Sequence, residues 1–363
     1  MNKKTGKIVV AMSGGVDSST VAAMLKEEGY EVIGITLQLY DVGDMAVKKG
    51  SCCAGQDIYD AKMAAEKIGI PHYVLNYESI FKQKVIENFA ESYISGETPI
   101  PCIQCNQKVK FDDLYKMAKD LGAISLATGH YVRKEIVDGR TIMMKGKDSN
   151  KDQSYFLFTT TKKQLDYLEF PLGNLTKQET RDLARKYDLE IADKAESQDI
   201  CFVPNGNYSE IVRKLRPEAY KPGNIILKGG KIIGKHNGIV EFTIGQRKKI
   251  GVSHKVPLYV IKINPDENTV IVGEKDDLKA NNLIINDVNW IADDKDFKQK
   301  INCSVRLRSN NKEVNATISH IEDKKFKVDL HEFYYGITPG QACVMYEGDR
   351  VLGGGWISKE GLY

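Results

Sequence analysis

Two hydrophobic periods alternate through the first third of the chain. Lys7–Met12, "KIVVAM", is a short continuous apolar run and reads as a buried strand. "DSSTVAAMLKEEGY" follows with apolar residues at helical spacing, and Gly29 is placed to close that helix. "EVIGITLQLY" is a second buried strand, "GQDIYDAKMAAEKIGIP" a helix ended by Gly69 and Pro71, and "HYVLNY" a third strand. "SIFKQKVIENFAESYI" and "NQKVKFDDLYKMAKDLG" read as helices flanking a Pro-rich loop with Cys102 and Cys105, and "ISLATGH" as a fourth strand. Strand alternating with helix predicts an α/β unit, a doubly wound parallel sheet with helices on both faces.

After His130 the pattern changes. "YVRKEIVDGRTIMMKG" predicts a hairpin turning on Asp138 and Gly139. "TKKQLDYLEF", "TKQETRDLARKYDL" and "YSEIVRKLRP" predict helices. From about Lys221 the chain becomes rich in short strands and turns, as in "LKGGKIIG", "KINPDENTVIVGEKDD", "ISHIEDKKFKVDL" and "YEGDRVLGGGW". Such spacing predicts two smaller β-rich domains, the last a barrel. The expected division is 1–210 for the catalytic α/β domain, 211–278 for a small central β-rich domain and 279–363 for the C-terminal β-barrel.

Composition narrows the class. The 363 residues are 42% hydrophobic and 28% charged, ordinary for a soluble globular protein. No apolar run approaches the ~18 residues that a membrane-spanning helix needs. The start, "MNKKTGKIVVAMSGG", is basic, but its apolar stretch is too short for a signal peptide. The expectation is a cytoplasmic protein with no membrane partner. Thiols stay reduced there, so closely spaced cysteines suggest catalysis or metal before structural disulfides. A net charge of +3 does not demand a nucleic-acid partner. Basic residues do concentrate in "GQRKKIGVSHK" and in "VRLRSNNK", which holds Arg306, Arg308 and Lys312. Either stretch alone reads as a solvated loop; together they suit a phosphate-backbone contact surface.

"AMSGGVDSS", Ala11 to Ser19, lies at the first strand–helix junction. Ligands bind at that edge of a wound sheet. Gly14 and Gly15 allow close backbone approach, and the helix start favours an anion. Asp17, acidic beside a phosphate site, suits a Mg²⁺ ion. The Lys of a Walker A loop is missing, and so is the GxGxxG of a dinucleotide site. A Ser/Gly-rich N-cap turn without ligand is the plain alternative. The string resembles the pyrophosphate loop (PP-loop) of the ATP pyrophosphatases, which pass AMP from ATP to an oxygen and release pyrophosphate.

Further strings follow in order: "SCCAGQDIYDAKMAAEKIGIPHYVLN", "TPIPCIQCNQKVKF", "LATGHYV", "KDQSYFL", "ESQDICFVP", "FTIGQRKKIG" and "ITPGQACVMYEGDRVLGGGWI". Together with the loop they closely resemble the tRNA-specific 2-thiouridylase (MnmA/TrmU) family, over essentially the whole chain from Lys7 to Ile357. The resemblance implies a HUP-like PP-loop domain and replacement of the C2 oxygen of wobble uridine by sulfur, at the expense of ATP with Mg. It implies that Ala11, Met12, Ser13, Gly14, Gly15, Val16, Asp17 and Ser18 hold ATP phosphates. Leu37 would pack on adenine and Gly129 would line the same nucleotide site. Cys201 matches the persulfide-bearing cysteine, loaded by a sulfur-donor protein, and Cys105 the nucleophile that leaves a Cys105–Cys201 disulfide. Cys105, read at a helix start, would have a lowered thiol pKa. Lys151, Asp152 and Gln153 match tRNA contacts, and His130 either contacts tRNA or caps the sheet. Arg306, Arg308 and Gln341 match contacts to the anticodon arm, although the family usually has an aromatic residue where Leu307 stands.

Cys102 departs from the family pattern, where an Asp is usual. It is a small polar replacement, or it joins Cys105 and Cys201 as ligands of an iron–sulfur cluster. Cys52 and Cys53 offer a four-thiolate zinc site as a third reading. Two other functions compete: an amidating ATP pyrophosphatase, which needs no thiol pair, and a non-catalytic tRNA-binding protein with a relic loop.

Overall fold

The structure, a computed structural model, describes residues 5–40, 54–195, 200–203, 206–292 and 300–362. Cys52 and Cys53 lie outside them. The chain divides into two compact units. The first comprises Met1–Val85, Cys102–Asn205 and Asp349–Val351; the second comprises Ile86–Pro101, Gly206–Gly348 and Leu352–Tyr363.

The first unit is built on a parallel sheet. Its strands are β1 (Lys7–Ala11), β2 (Glu31–Gln38), β3 (His72–Asn76), β4 (Ser125–Ala127) and β7 (Leu168–Glu169), in the order β3-β2-β1-β4-β7. All four pairings are parallel. β1 is central, and Val9 and Val10 on it are fully buried. β2 lies on one side of β1 and β4 on the other, so the order in which strands are added reverses at β1. The crevice at such a switch point is where wound sheets take ligands. The order confirms the doubly wound expectation.

Helix α1 (Val16–Glu27) follows β1 and buries Val16, Val21, Ala22 and Leu25. Asp17 in its first turn and Lys26 in its last complement the helix dipole. Gly29, at φ 95°, ends it in the left-handed region. α2 (Ala54–Ile68) packs with α1 against Val10 and Ile8 through Ala61, Ala64 and Ala65. α8 (Lys177–Lys186) starts with a reciprocal cap between Thr176 and Glu179. The hairpin of β5 (Val132–Val137) and β6 (Arg140–Lys145) turns where predicted, with positive φ at both Asp138 and Gly139.

Two expectations change in this unit. Helix α7 (Lys162–Tyr167) is shorter than its apolar pattern suggests, because Leu168 and Glu169 become the edge strand beside β4. The cysteine segment is helical rather than a loop. α5 (Pro101–Cys105) begins on Pro101, whose missing N–H costs nothing at the first helical position. It runs on into a π-helix, Asn106–Leu114, and then α6 (Tyr115–Asp120).

The second unit is β-rich. A four-stranded sheet has the order β10-β11-β8-β9, from β8 (Gly223–Leu227), β9 (Ile232–His236), β10 (Tyr259–Asn264) and β11 (Thr269–Gly273). The remaining strands are β12 (Lys279–Trp290), β13 (Ile301–Arg306), β14 (Val314–Glu322), β15 (Lys325–Tyr335), β16 (Ala342–Glu347) and β17 (Arg350–Ile357). They pair as β12-β15-β14-β13-β16-β17, and β12 pairs again with β17, closing a six-stranded barrel as expected. Closure removes the free edges. Trp290 and Phe326, stacked 6.4 Å apart, lie in its core with Val305, Val328 and Met345. Among the described residues no helix is long and apolar enough to cross a membrane.

Candidate active site

The loop after β1 is shaped by hydroxyls and glycines. The Ser18 hydroxyl accepts from the Ser13 amide at 3.0 Å, and the two hydroxyls lie 3.3 Å apart. The Met12 carbonyl accepts from Thr36 at 2.9 Å. Gly14 has φ 72°, and a Cβ there would lie 2.0 Å from the Asp57 carbonyl oxygen. No larger residue fits without pushing the loop off α2. Helix α1 is capped by Gly15 with no side-chain bond, so its first amides are open to an anion. Leu37, next to last in β2, is half-buried and follows this loop's Thr36 anchor. Gly129 follows β4, and a Cβ on it would lie 2.9 Å from the Ser18 amide nitrogen.

Three polar partners of this loop carry no signal in the sequence. Lys177 Nζ bonds both oxygens of Asp17, at 2.7 and 2.8 Å, and the Tyr131 hydroxyl donates to Asp17 at 2.8 Å. Lys194 Nζ donates to the Gly14 carbonyl at 3.0 Å, Asp57 at 2.6 Å and Asp60 at 2.5 Å. Burial works against its charge, but Asp57 and Asp60 outweigh this and raise the Lys194 pKa. Lys194 therefore ties the segment leading toward Cys201 to α2 and to the loop.

The cysteines occupy different settings. Cys105 is buried and Cys102 exposed, both on α5. Cys201 is exposed on a turn held by Phe202, which is buried edge-on against Phe81 at 5.8 Å. None of the three is in a disulfide. Crowded surroundings first, then Cys105 and Cys102, raise the Cys201 pKa to about 12, while Lys110 opposes; its exposure to water offsets part of that cost. Burial likewise raises Cys105, again against Lys110. The expected lowering of Cys105 by a helix start is corrected. Cys105 closes α5 and leads straight into the π-helix, so no open helix N-terminus faces it. Among the described residues no three His, Cys, Asp or Glu side chains assemble as a metal site. Cys102, Cys105 and Cys201 as placed do not fit an iron–sulfur cluster.

Near them, His130 sits edge-on to Phe111 at 5.9 Å and bonds Thr128 at 3.0 Å. Burial, with Lys110, lowers its pKa to about 3, so the ring is neutral. Asp152 accepts from the amides of Gly146 and Ser154, both at 3.1 Å, and Gln153 from the Tyr131 amide at 2.9 Å. These side chains build the turn that also carries Lys151, whose amide bonds Asp148. In the second unit, Arg306 pairs with Glu313 at 2.9 Å and lies over the Tyr346 ring. Arg308 donates to Gly336 at 2.9 Å and Thr338 at 2.7 Å. Leu307 between them is 2% exposed, so no base can stack there. Gln341 donates to the Thr98 carbonyl at 2.8 Å. Lys248 and Lys249 are exposed.

Comparison with known proteins gives full-length matches. Residues 6–205 match the family model described as tRNA methyl transferase HUP domain. Residues 210–274 match the tRNA methyl transferase PRC-barrel domain and 280–357 the aminomethyltransferase beta-barrel domain. The tRNA-specific 2-thiouridylase MnmA of Rickettsia felis is 57% identical over 360 residues, covering 99% of this chain and 99% of that protein. The protein of that name from Rickettsia canadensis is 58% identical over 360 residues, covering 99% and 98%.

The chain belongs to the tRNA-specific 2-thiouridylase family.

In this 2-thiouridylase the loop after β1 and Cys102, Cys105 and Cys201 lie in one unit. The loop leads into the first amides of α1, and its flanking lysines are held by carboxylates, Lys177 by Asp17 and Lys194 by Asp57 and Asp60. The π-helix follows Cys105, and negative charge on Cys105 raises the Cys201 pKa although the two lie on distant parts of the chain.

Proposed function

We propose that this 2-thiouridylase replaces the C2 oxygen of wobble uridine in tRNA with sulfur, using ATP. The loop Ala11–Ser18 and the amides of α1 hold the triphosphate. Magnesium arrives with ATP as part of that substrate and neutralises phosphate charge; Asp17 is the loop carboxylate that would hold it, in place of Lys177. The uridine C2 oxygen takes the AMP group and pyrophosphate leaves. The C2 oxygen then departs as part of AMP, a far better leaving group than oxide.

A donor protein leaves a persulfide on Cys201. The Cys105 thiolate attacks the Cys201 sulfur, the bond to the terminal sulfur breaks, and that sulfur leaves as hydrosulfide with the electron pair. Hydrosulfide adds to C2 and displaces AMP. The new Cys105–Cys201 disulfide is reduced by a dithiol before the next cycle. Lys151, Asp152, Gln153, His130, Arg306, Arg308 and Gln341 are assigned to the tRNA face, with Arg306 and Arg308 acting as they are already held by Glu313 and Gly336. Lys248 and Lys249 are the exposed cations best suited to backbone phosphate.

The observation that carries this reading is that the loop after β1, Cys105 and Cys201 lie in one compact unit of a chain 57% identical over its full length to a 2-thiouridylase. It is tested with unmodified tRNA, ATP and a persulfide donor, followed by nucleoside mass spectrometry. 2-Thiouridine is expected from the wild-type chain and not from Cys201→Ser or Cys105→Ser. Product from either variant would remove that cysteine from the mechanism.

A further inference from the structure

Nine π-helical residues, Asn106–Leu114, directly follow Cys105. A π-helix joins residue i to i+5, is usually a single turn, and is frequent at functional sites. Five residues of α-helix would rotate Lys110 about 140° away from Cys105 around the axis. The wider π turn returns position i+5 over position i, so Lys110 stands one π turn beyond Cys105 on the same side. Its Nζ donates to Asn106 Oδ1 at 3.1 Å. Asn106 is itself buried and donates to the Phe156 carbonyl at 3.3 Å. Lys110 is thus tethered by a neutral amide, and among the described residues no carboxylate pairs with it. Its charge acts on Cys105, Cys201 and His130 alike.

We infer that Lys110 is the cation that holds negative charge in the sulfur-transfer site, with the π-helix as the device that aims it. The inference rests on the thiolation reading. Burial disfavours the Cys105 thiolate, and the Lys110 cation opposes that cost. When Cys105 attacks the Cys201 persulfide, the negative charge passes from Cys105 to the departing hydrosulfide. Lys110 serves both ends of that transfer, so it stabilises the thiolate without trapping it.

The test is the pH dependence of iodoacetamide alkylation at Cys105, separated from Cys102 by tandem mass spectrometry. The chains compared are wild type, Lys110→Met, Lys110→Gln and Lys110→Arg. Gln keeps a polar partner for Asn106 should Met disturb the helix, and thermal melting checks each fold. In both neutral variants the midpoint should rise by about one pH unit, so that alkylation below it slows about tenfold. Lys110→Arg should restore the wild-type profile. An unmoved midpoint in a folded neutral variant would overturn the inference. The readout needs neither ATP nor tRNA. A wild-type chain that makes no 2-thiouridine, yet shows the shift, keeps the Lys110–Cys105 link and loses only its assignment to sulfur transfer.

Discussion

Replacing Lys194 by Met should loosen the phosphate loop from α2. In the folded chain Lys194 satisfies Asp57, Asp60 and the Gly14 carbonyl together. Met fills similar volume but leaves two carboxylates facing each other and one carbonyl without its donor. Removing one partner of a fully buried ion pair costs about 3–5 kcal/mol, and an exposed pair is worth about 0–1 kcal/mol. The three side chains are 21%, 33% and 14% exposed, between those limits. A loss of about 2 kcal/mol follows. Both tryptophans, Trp290 and Trp356, lie in the second unit, so their fluorescence would not report it. Hydrogen exchange of peptides from α2 and the loop does, and 2 kcal/mol corresponds to about 30-fold faster opening. The KM for ATP should rise with it. The pH dependence has a fixed sign. The folded Lys194 pKa is raised, so its stabilisation is complete below the unfolded lysine value and fades as pH climbs through the folded one. Lys194→Met should lack that alkaline loss. Unchanged exchange in α2 would refute the tether.

Gly14→Ala should abolish pyrophosphate release while leaving tRNA binding intact, since its Cβ would collide with the Asp57 carbonyl and φ is positive; a pyrophosphate assay with and without tRNA decides this. His130 should make the fold acid-sensitive between about pH 6.5 and about pH 3, because the unfolded imidazole binds a proton there and the folded one does not. His130→Asn should flatten that part of the stability profile measured by urea titration. Reversing Lys248 and Lys249 to Glu should weaken tRNA binding and reduce the slope of log affinity against log salt by about two; an unchanged slope would place the docking surface elsewhere.

The parallel sheet was legible because strands covered on both faces read as continuous apolar runs, as "KIVVAM" and "EVIGITL" do. The barrel announced itself through regular turns. What pattern could not distinguish was a helix end from an edge strand: Leu168 and Glu169 continue an apolar period but pair with β4. Proline misled at Pro101, which reads as loop punctuation but opens a helix. The π-helix was invisible, because three apolar residues in nine, Val109, Phe111 and Leu114, are too few to distinguish one helical period from another. The loop's partners were illegible for another reason. Lys177 reaches Asp17 across 160 positions and Lys194 reaches Asp57 across 137, and ordinary lysines in ordinary helical segments advertise neither pairing. Local pattern specifies elements, whereas charge partnerships of this kind arise only when the elements meet.

Sulfur transfer by this route must leave a Cys105–Cys201 disulfide at every turnover. Wild-type chain carrying a Cys201 persulfide is given ATP and unmodified tRNA without reductant and stopped after one turnover. Mass spectrometry of the unreduced digest should find a Cys105–Cys201 linked peptide in one-to-one ratio with 2-thiouridine, and a dithiol should restore further turnover. 2-Thiouridine formed with both thiols still free, or linked instead through Cys102, would contradict it.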